Sequence, residues 1–215
     1  MRADFHTHTL ISDGELLPSE LARRAMILGH DAIAITDHVD FTNVERAVSE
    51  VVKAVDLCED YLQVIPGVEI THVPPSKIDR LVKRAKNLGA KWVVVHGETV
   101  NEPVMAGTNS VAVHNMDVDV LAHPGLISEE DVQTAVDNDV IIEITGRKGH
   151  NVTNGHVANL SMLLGAKMLV NSDGHGPQDL MNHERAMTVA LGAGLTVDFA
   201  RKAVEDLPSE IIRRF

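Results

Sequence analysis

The sequence predicts an α/β protein built on a parallel β-sheet. Seven short apolar runs, most of them rich in Val and Ile, alternate with longer segments of helical periodicity. Continuously apolar strands are typical of parallel sheets that are covered on both faces. The 215 residues contain no linker and no low-complexity run, so we expect one domain over residues 1–215. The predicted strands are Ala3–His6, Ala32–Thr36, Gln63–Glu69, Trp92–His96, Val118–Ala122, Val140–Thr145 and Lys167–Asn171.

The segments between these strands have the spacing of amphipathic helices. Between Val44 and Leu62, apolar residues recur every three or four positions, which predicts a helix with one buried stripe. Cys58, the single cysteine, lies on that stripe and is expected to pack in the core. Pro18 predicts the start of an earlier helix, and Gly29 its end.

Further helix starts are indicated by local capping patterns. Ser76-x-x-Asp79 and Ser128-x-x-Asp131 loosely match the capping box, with Asp in place of Glu or Gln. Each precedes apolar residues at helical spacing, so we expect a helix to begin at each serine. The segment 183–185, His-Glu-Arg, is either a second polar element near the site or the start of a surface helix.

Alternating strands and helices leave two architectures open, a closed barrel and an open, doubly wound sheet. In both, ligands bind at the carboxyl ends of the strands. Histidine or carboxylate residues follow six of the seven predicted strands. A barrel gathers its strand ends into one ring, whereas an open sheet spreads them along a line. The convergence of such residues therefore favours a TIM-like barrel.

Nine residues at these strand ends are candidate metal ligands. Imidazole and carboxylate groups are the usual ligands of divalent transition metals. The first two histidines are two positions apart on an extended chain, so both can face one centre. The remaining histidines, at 30, 72, 114, 150, 156 and 183, are expected to be ordinary core or surface residues. The candidates are His6, His8, Asp13, His38, Glu69, His96, His123, Asp173 and His175.

Taken together, these segments resemble the polymerase and histidinol phosphatase family, usually called PHP. The resemblance spans residues 6–175, and no family ligand position is missing. It implies a distorted seven-stranded β/α barrel that carries three divalent metal ions, zinc, manganese or iron, at its carboxyl face. The matching motifs are His6-x-His8, Ser12-Asp13-Gly14, Thr36-Asp37-His38, Gly67-Val68-Glu69, His96, Ala122-His123-Pro124 and Ser172-Asp173-Gly174-His175.

The resemblance also implies how the ligands are shared. One metal would take His6, His8, Glu69 and Asp173. A second would take Glu69, His96 and His123, and a third Asp13, His38 and His175. The residues implied to be catalytic are Asp173, His175, Glu69 and His38.

Clustered divalent cations suit the hydrolysis of phosphate esters. Metal binding lowers the pKa of water from about 15.7 to about 7 and so provides hydroxide at neutral pH. Other cations hold phosphoryl oxygens and offset charge on the leaving group. The sequence has no nucleophile-elbow motif Gly-x-Ser-x-Gly. We therefore expect a metal-dependent phosphoesterase for a small phosphorylated molecule, most simply a phosphomonoester, with histidinol phosphate as a candidate that the family suggests.

Several residues near the ligands have two interpretations. Arg147 and Lys148 follow the sixth strand and are expected to bind the substrate phosphate, the alternative being a solvated loop. Asp37 and Glu143 are either supports for ligand histidines or ordinary hydrogen-bonded residues, and a further alternative for Glu143 is contact with the leaving group. The segment Gly97–Asn115 is expected to form a lid or a side wall of the pocket.

Composition limits the possible partners. The net charge of −12 disfavours a stable complex with nucleic acid, whose phosphates an acidic surface repels. There is no apolar stretch of 18 residues and no signal-peptide pattern, so we expect no membrane association and a cytoplasmic location. Two other functions stay open: a nucleotide or oligonucleotide phosphodiesterase, and a metal-binding regulatory module without turnover. The sequence does not define the oligomeric state.

Overall fold

Parallel strands pair in a ring around the centre of the molecule. The computed structural model describes residues 2–58 and 60–215. Seven strands form a nearly closed barrel in the order β1-β2-β4-β5-β6-β7-β8, and the two-residue β3 pairs with β4. The predicted α/β barrel is confirmed, and β3 is an addition to it. The strands are β1 (Ala3–Thr7), β2 (Ala32–Ile35), β3 (His38–Val39), β4 (Gln63–Ile70), β5 (Trp92–His96), β6 (Val120–Ala122), β7 (Ile141–Thr145) and β8 (Met168–Asn171).

Helices connect the strands and cover the outside of the barrel. A 3₁₀ turn at His150–Thr153 precedes the sixth helix, and a π-helical turn at Lys202–Asp206 joins the last two. Among the described residues, no helix is both long and apolar enough to cross a bilayer. The helices are α1 (Pro18–Ile27), α2 (Val44–Cys58), α3 (Pro75–Leu88), α4 (Thr108–Val113), α5 (Glu129–Asp137), α6 (Asn154–Leu164), α7 (His183–Gly192), α8 (Val197–Arg201) and α9 (Leu207–Ile212).

One of the two predicted capping serines begins its helix. The Ser128 hydroxyl accepts a hydrogen bond from the backbone N–H of Asp131 at 3.1 Å, as the capping pattern predicts. The prediction at Ser76 is wrong, because α3 begins one residue earlier, at Pro75. Proline has no N–H to satisfy and its fixed φ suits the first helical position, so the proline sets the start there.

Alternation along each strand separates an apolar lower layer from a polar upper layer inside the barrel. On β5, Trp92 and Val94 belong to the interior apolar cluster, and His96 follows on the same face. The indole N–H of Trp92 donates to the carbonyl of Phe5 at 3.1 Å, which satisfies the buried ring. The same order recurs on other strands: Ile65 precedes Glu69, Ile141 precedes Glu143, and Leu169 precedes Asn171.

The ring closes between β1 and β8 through little backbone pairing. One bridge joins Thr7 to Gly174. Nearby, the backbone N–H of Phe5 donates to the side-chain oxygen of Asn171 at 3.0 Å, in place of a strand carbonyl. The pairing of β1 with β2 also changes register between Asp4 and Thr7. Such an irregularity redirects side chains locally, so Phe5 packs in the lower layer while His6 reaches the site above it.

Candidate metal centre

The structure brings the nine predicted residues together at the carboxyl ends of the strands. They form overlapping groups in which one ligand atom from each member lies within 4.8 Å of the others. Most members are buried, and the group that contains Asp13 is the most open. The groups are His6, His8 and Glu69; His6, His123 and Asp173; Glu69, His96 and His123; and His8, Asp13, His38 and His175.

Two carboxylates lie at the centre of the arrangement. Nε2 of His6 is 3.3 Å from one oxygen of Glu69, and Nε2 of His123 is 3.4 Å from the same oxygen. Asp173 is 3.2 Å from Nε2 of His8. Asp173 and His123 have φ angles of +50° and +27°, which non-glycine residues rarely adopt. These tight turns at the strand ends direct both side chains into the site.

The third group lies at the edge of the opening. Oδ1 of Asp13 is 3.3 Å from Nε2 of His175 and 3.5 Å from Nε2 of His38. The ring of His8 stacks on that of His175 at 4.1 Å and belongs to the same group. His8 therefore lies between this group and the central carboxylates, in addition to the three ligands that the family pattern implies here.

Unsatisfied buried atoms show that these residues fit cations. Nε2 of His6, both ring nitrogens of His8 and both carboxylate oxygens of Glu69 are buried without a hydrogen-bond partner. Nδ1 of His6 lies 2.8 Å from Glu143, and because a carboxylate only accepts, Nδ1 carries the hydrogen. In the neutral ring, Nε2 of His6 then faces Glu69 with a lone pair. Two buried acceptors this close are costly unless a proton or a cation lies between them.

The protonation states of two buried groups suit cation binding. Burial by itself raises the pKa of Glu69, but His6 and His38 outweigh it and hold that pKa well below its ordinary value. Burial and the neighbouring His38 keep the pKa of His8 well below its ordinary value. Glu69 is thus ionised and His8 neutral, the forms that bind divalent metals. Burial lowers the pKa of His6, but Glu143 and Glu69 outweigh it and raise that pKa, so a cation bound there would displace a proton.

Glu143 supports two of the candidate ligands. Besides its contact with His6, it accepts hydrogen bonds from the backbone N–H of His123 at 3.2 Å and the side-chain amide of Asn171 at 3.0 Å. The carboxylate is fully buried in the upper layer of the barrel. Of its three predicted roles, the structure shows the contact with a candidate ligand histidine.

Asp37 takes the second of its two predicted roles, that of a hydrogen-bonded residue. Its carboxylate accepts hydrogen bonds from the backbone N–H and hydroxyl groups of Thr9 and Ser12, at 2.7–3.1 Å. These bonds fix the loop that carries Asp13. Within the described part of the chain, no histidine is hydrogen-bonded to Asp37, so it orients a loop and not an imidazole.

Arg147 and Lys148 lie beside the open group. They line a cavity of about 480 Å³ together with Asp13 and His175. The Arg147 guanidinium is 3.2 Å from Asp179, whose same oxygen also accepts from the backbone N–H of His175 at 3.1 Å. Asp179 therefore links the arginine to the turn that presents a candidate ligand. The predicted substrate-binding pair is adjacent to the candidate metal centre, and its role stays a prediction.

The segment after β5 forms a side wall of the site. The Glu98 carboxylate accepts hydrogen bonds from the backbone N–H groups of Gly107 and Asn109, at 3.0 and 2.9 Å. The Asn109 side chain in turn accepts from the N–H of Glu98 and donates to the carbonyl of Pro124. These contacts fix the wall between β5 and α4 and its connection to the loop after β6.

Sequence reasoning missed Glu102 and two histidines that contact it. Glu102 Oε2 is 3.2 Å from Nε2 of both His72 and His96, and Oε1 is 3.4 Å from Nε2 of His150. The hydrogen bond with His96 lowers the pKa of Glu102 to about 2. Burial lowers the pKa of His150 to about 4. His72 and His150 make hydrogen bonds, as expected of ordinary residues, and their contacts with Glu102 bring them beside the candidate site.

The other four histidines lie away from the site, as expected. A ring nitrogen of each contacts a partner outside the site. The pairs are His30 with the carbonyl of Ala25, His114 with the carbonyl of Ser110, His156 with the carbonyl of Ile127, and His183 with the carboxylate of Glu205. His183 begins α7, which confirms the surface-helix interpretation of segment 183–185. A usable signal for His150 was its place two residues after Lys148, in the loop that follows β7.

The barrel and the clustered His, Asp and Glu side chains define a β/α-barrel protein equipped to bind divalent cations. The PHP domain family model matches residues 4–96. The chain is also 50% identical to the uncharacterized protein MJ1295 of Methanocaldococcus jannaschii over the full length of both. The chain belongs to the PHP family, and its fold is that of the family's metal-dependent phosphoesterases.

Two further comparisons cover different shares of the chain. The 5'-3' exoribonuclease Rnm of Salmonella typhimurium is 43% identical over 70 residues, which are 33% of this chain but only 22% of that protein. The histidinol phosphate phosphatase of Lactococcus lactis, determined with zinc, L-histidinol and phosphate, matches with a TM-score of 0.65. That alignment covers 91% of this chain and 94% of the phosphatase at 15% identity, so it shows a shared fold.

Proposed function

We propose that residues 1–215 form a single catalytic domain that hydrolyses a small phosphorylated molecule, with phosphomonoesters preferred. The observation that carries the proposal is the set of buried, unpartnered His and Glu atoms beside a cavity lined by Arg147 and Lys148. Acceptor atoms that face one another suit cations, and the two basic side chains suit a phosphate. The family supports the same activity class.

Three divalent cations, zinc, manganese or iron, are proposed to bind here. The His and carboxylate donor set is compatible with each of them. When bound, such cations supply Lewis acidity and activate water. The proposed ligand sets are His6, His8, Glu69 and Asp173; Glu69, His96 and His123; and Asp13, His38 and His175, with Asp173, His175, Glu69 and His38 nearest the reacting groups.

The chain's own residues would position the phosphate. Arg147 offers a planar guanidinium that binds phosphate oxygens in a bidentate manner, and Asp179 holds its orientation. Lys148 adds a second positive charge in the same cavity. The wall formed by residues 97–107 would limit access of bulk water on the side of the site opposite Arg147 and Lys148. Arg147 and Lys148 would therefore bind the phosphate beside Asp13 and His175.

A cavity of about 480 Å³ fits a small molecule, and the net charge of −12 disfavours long nucleic acids. Histidinol phosphate is a candidate substrate because a phosphatase with this fold was determined with L-histidinol and phosphate. The test compares p-nitrophenyl phosphate with its bis ester, using manganese-loaded protein. We expect the monoester to be hydrolysed faster, and a clear preference for the bis ester would overturn the proposal.

A nucleotide or oligonucleotide phosphodiesterase is the second candidate. The match to an exoribonuclease over 70 residues favours it. Rapid cleavage of short oligonucleotides with little action on monoesters would establish this activity instead.

A regulatory module without turnover is the third candidate, and cation-loaded protein that binds phosphate esters without hydrolysing any of them would support it. The half-exposed Asp13 argues for an open site and so against this third function.

A further inference from the structure

We propose that Glu102 is an additional, exchangeable ligand for the cation at Glu69, His96 and His123, with His72 and His150 holding its carboxylate. This inference rests on the proposed function only in requiring that a cation binds this group. It adds a ligand from the loop after β5 to the nine residues that the motifs indicate. It also assigns a role to the only two histidines outside that set whose described contacts lie at the site.

Nε2 of His96 and a carboxylate oxygen of Glu102 lie close enough to bind one cation. Nδ1 of His96 is 3.1 Å from the carbonyl oxygen of Gly97, which only accepts, so Nδ1 carries the hydrogen. Without a cation, a proton on Nε2 of His96 is donated to Glu102 Oε2 at 3.2 Å. A cation that replaces this proton would have both atoms as ligands. Ligand atoms bound at about 2.0–2.2 Å to one ion stand roughly 3 Å apart when adjacent. The separation therefore suits two ligands of one cation.

Two histidines support the carboxylate of Glu102. His72, after β4, and His150, after β7, both point Nε2 at Glu102. Nδ1 of His150 is in turn 2.8 Å from the hydroxyl of the buried Thr99. A metal-binding carboxylate is usually held by outer hydrogen bonds of this kind. Three loops thus converge on one side chain that has no structural role in the core.

The position of Glu102 on the wall lets its carboxylate reach the cation group. Glu102 contacts the group through His96, and its side chain is 38% exposed. It can therefore rotate toward the ion without displacing packed atoms, and away from it when another ligand arrives. The loop itself is fixed by Glu98, which binds the N–H groups at the start of α4. A partly exposed carboxylate on a fixed wall is what an exchangeable ligand requires.

The experiment measures cation binding in the absence of any substrate. Metal-free wild-type protein and Glu102→Gln are titrated with Mn²⁺ against a competing chelator, and bound cations per chain are counted. Glutamine keeps the size and one acceptor but loses the charge. We expect Glu102→Gln to weaken one cation by about 10- to 100-fold. Glu20→Gln, at an exposed pair with Arg24 on α1, is the matched control and should bind all cations with wild-type affinity.

A second readout separates ligation from indirect support. The visible absorption of the Co²⁺-loaded protein depends on the ligands of the ion, so it should change in Glu102→Gln and stay constant in Glu20→Gln. Unchanged Mn²⁺ affinity in Glu102→Gln would overturn the inference. Weaker affinity with an unchanged Co²⁺ spectrum would also overturn it, because the carboxylate would then act only by holding His96. Neither result depends on ester hydrolysis, so failure of the proposed activity would be recognised separately.

Discussion

The carboxylate of Glu143 lies 2.8 Å from Nδ1 of His6 in the upper layer of the barrel. The same carboxylate accepts the backbone N–H of His123 and the side-chain amide of Asn171. One buried group on β7 therefore orients a ligand candidate on β1 and another directly after β6. It also fixes the proton of His6 on Nδ1, which directs Nε2 toward Glu69.

We predict that Glu143→Gln weakens cation binding by about 10- to 100-fold, because an amide cannot accept from all three donors at once. The measurement is chelator competition with the metal-free protein, accompanied by circular dichroism to verify the fold. Glu20→Gln, which alters an exposed pair with Arg24, serves as the control. Wild-type affinity in Glu143→Gln would show that His6 does not need this support.

We predict that His123→Ala and Asp173→Ala each lose phosphoesterase activity while keeping most of their secondary structure. Both side chains extend from strand ends into the site, so their loss removes cation ligands and leaves the apolar core intact. The measurement is turnover of variants reloaded with excess Mn²⁺. His114→Ala, at an exposed histidine far from the site, should match the wild type. Full activity in either metal-replete variant would remove that residue from the ligand set.

We predict that Arg147→Ala raises KM more than it lowers cation content. The guanidinium lines the cavity but is not a cation ligand, so it should act on the phosphate. Arg147→Lys keeps the charge and loses the bidentate geometry, so its KM should lie between those of the wild type and Arg147→Ala. Steady-state kinetics and metal analysis on the same samples test this. A KM equal to that of the wild type would identify segment 146–150 as a solvated loop.

We predict that His30 makes the metal-free protein less stable in acid. Burial, reinforced by Arg2, lowers the pKa of His30 to about 4 in the folded state, against about 6.5 when unfolded. The fold therefore favours the neutral ring. Its contribution to stability is fully present above pH 6.5 and is lost as the pH falls from there to 4, by at most about 3 kcal/mol.

The measurement is the free energy of unfolding in urea between pH 4 and 7.5, with chelator present. His30→Asn keeps a donor for the carbonyl of Ala25 and does not titrate, so its stability should fall less steeply with acid than that of the wild type. Parallel curves for the two proteins would contradict the prediction. The comparison isolates His30, because both proteins share every other titrating group.

Much of the barrel could be predicted because strand alternation and ligand chemistry agree. On β5, the residues Trp92, Val94 and His96 share a face, so an apolar interior and a polar end follow from one run of sequence. The same holds for Ile65 and Glu69 on β4. Where a strand has regular period and ends in a histidine or carboxylate, the sequence specifies which end of the barrel carries the site.

The remaining features depend on contacts between loops. Glu102 lies in a segment without periodicity, and its partners His72 and His150 follow different strands. Nothing local to residue 102 indicates that these loops converge. Asp37 was similarly ambiguous, because its four hydrogen bonds depend on how the Thr9–Ser12 segment turns back over the barrel. Long-range loop geometry, not residue chemistry, limited the sequence prediction.

The central claim is that a cation-loaded centre hydrolyses a phosphomonoester. The most direct measurement titrates the metal-free protein with Mn²⁺ while recording release of phosphate from p-nitrophenyl phosphate and counting bound cations in parallel. We predict no turnover without metal, a rise with cation content and a plateau at three cations per chain. Turnover that is independent of added cation, or a fully loaded protein that releases no phosphate, would contradict the account.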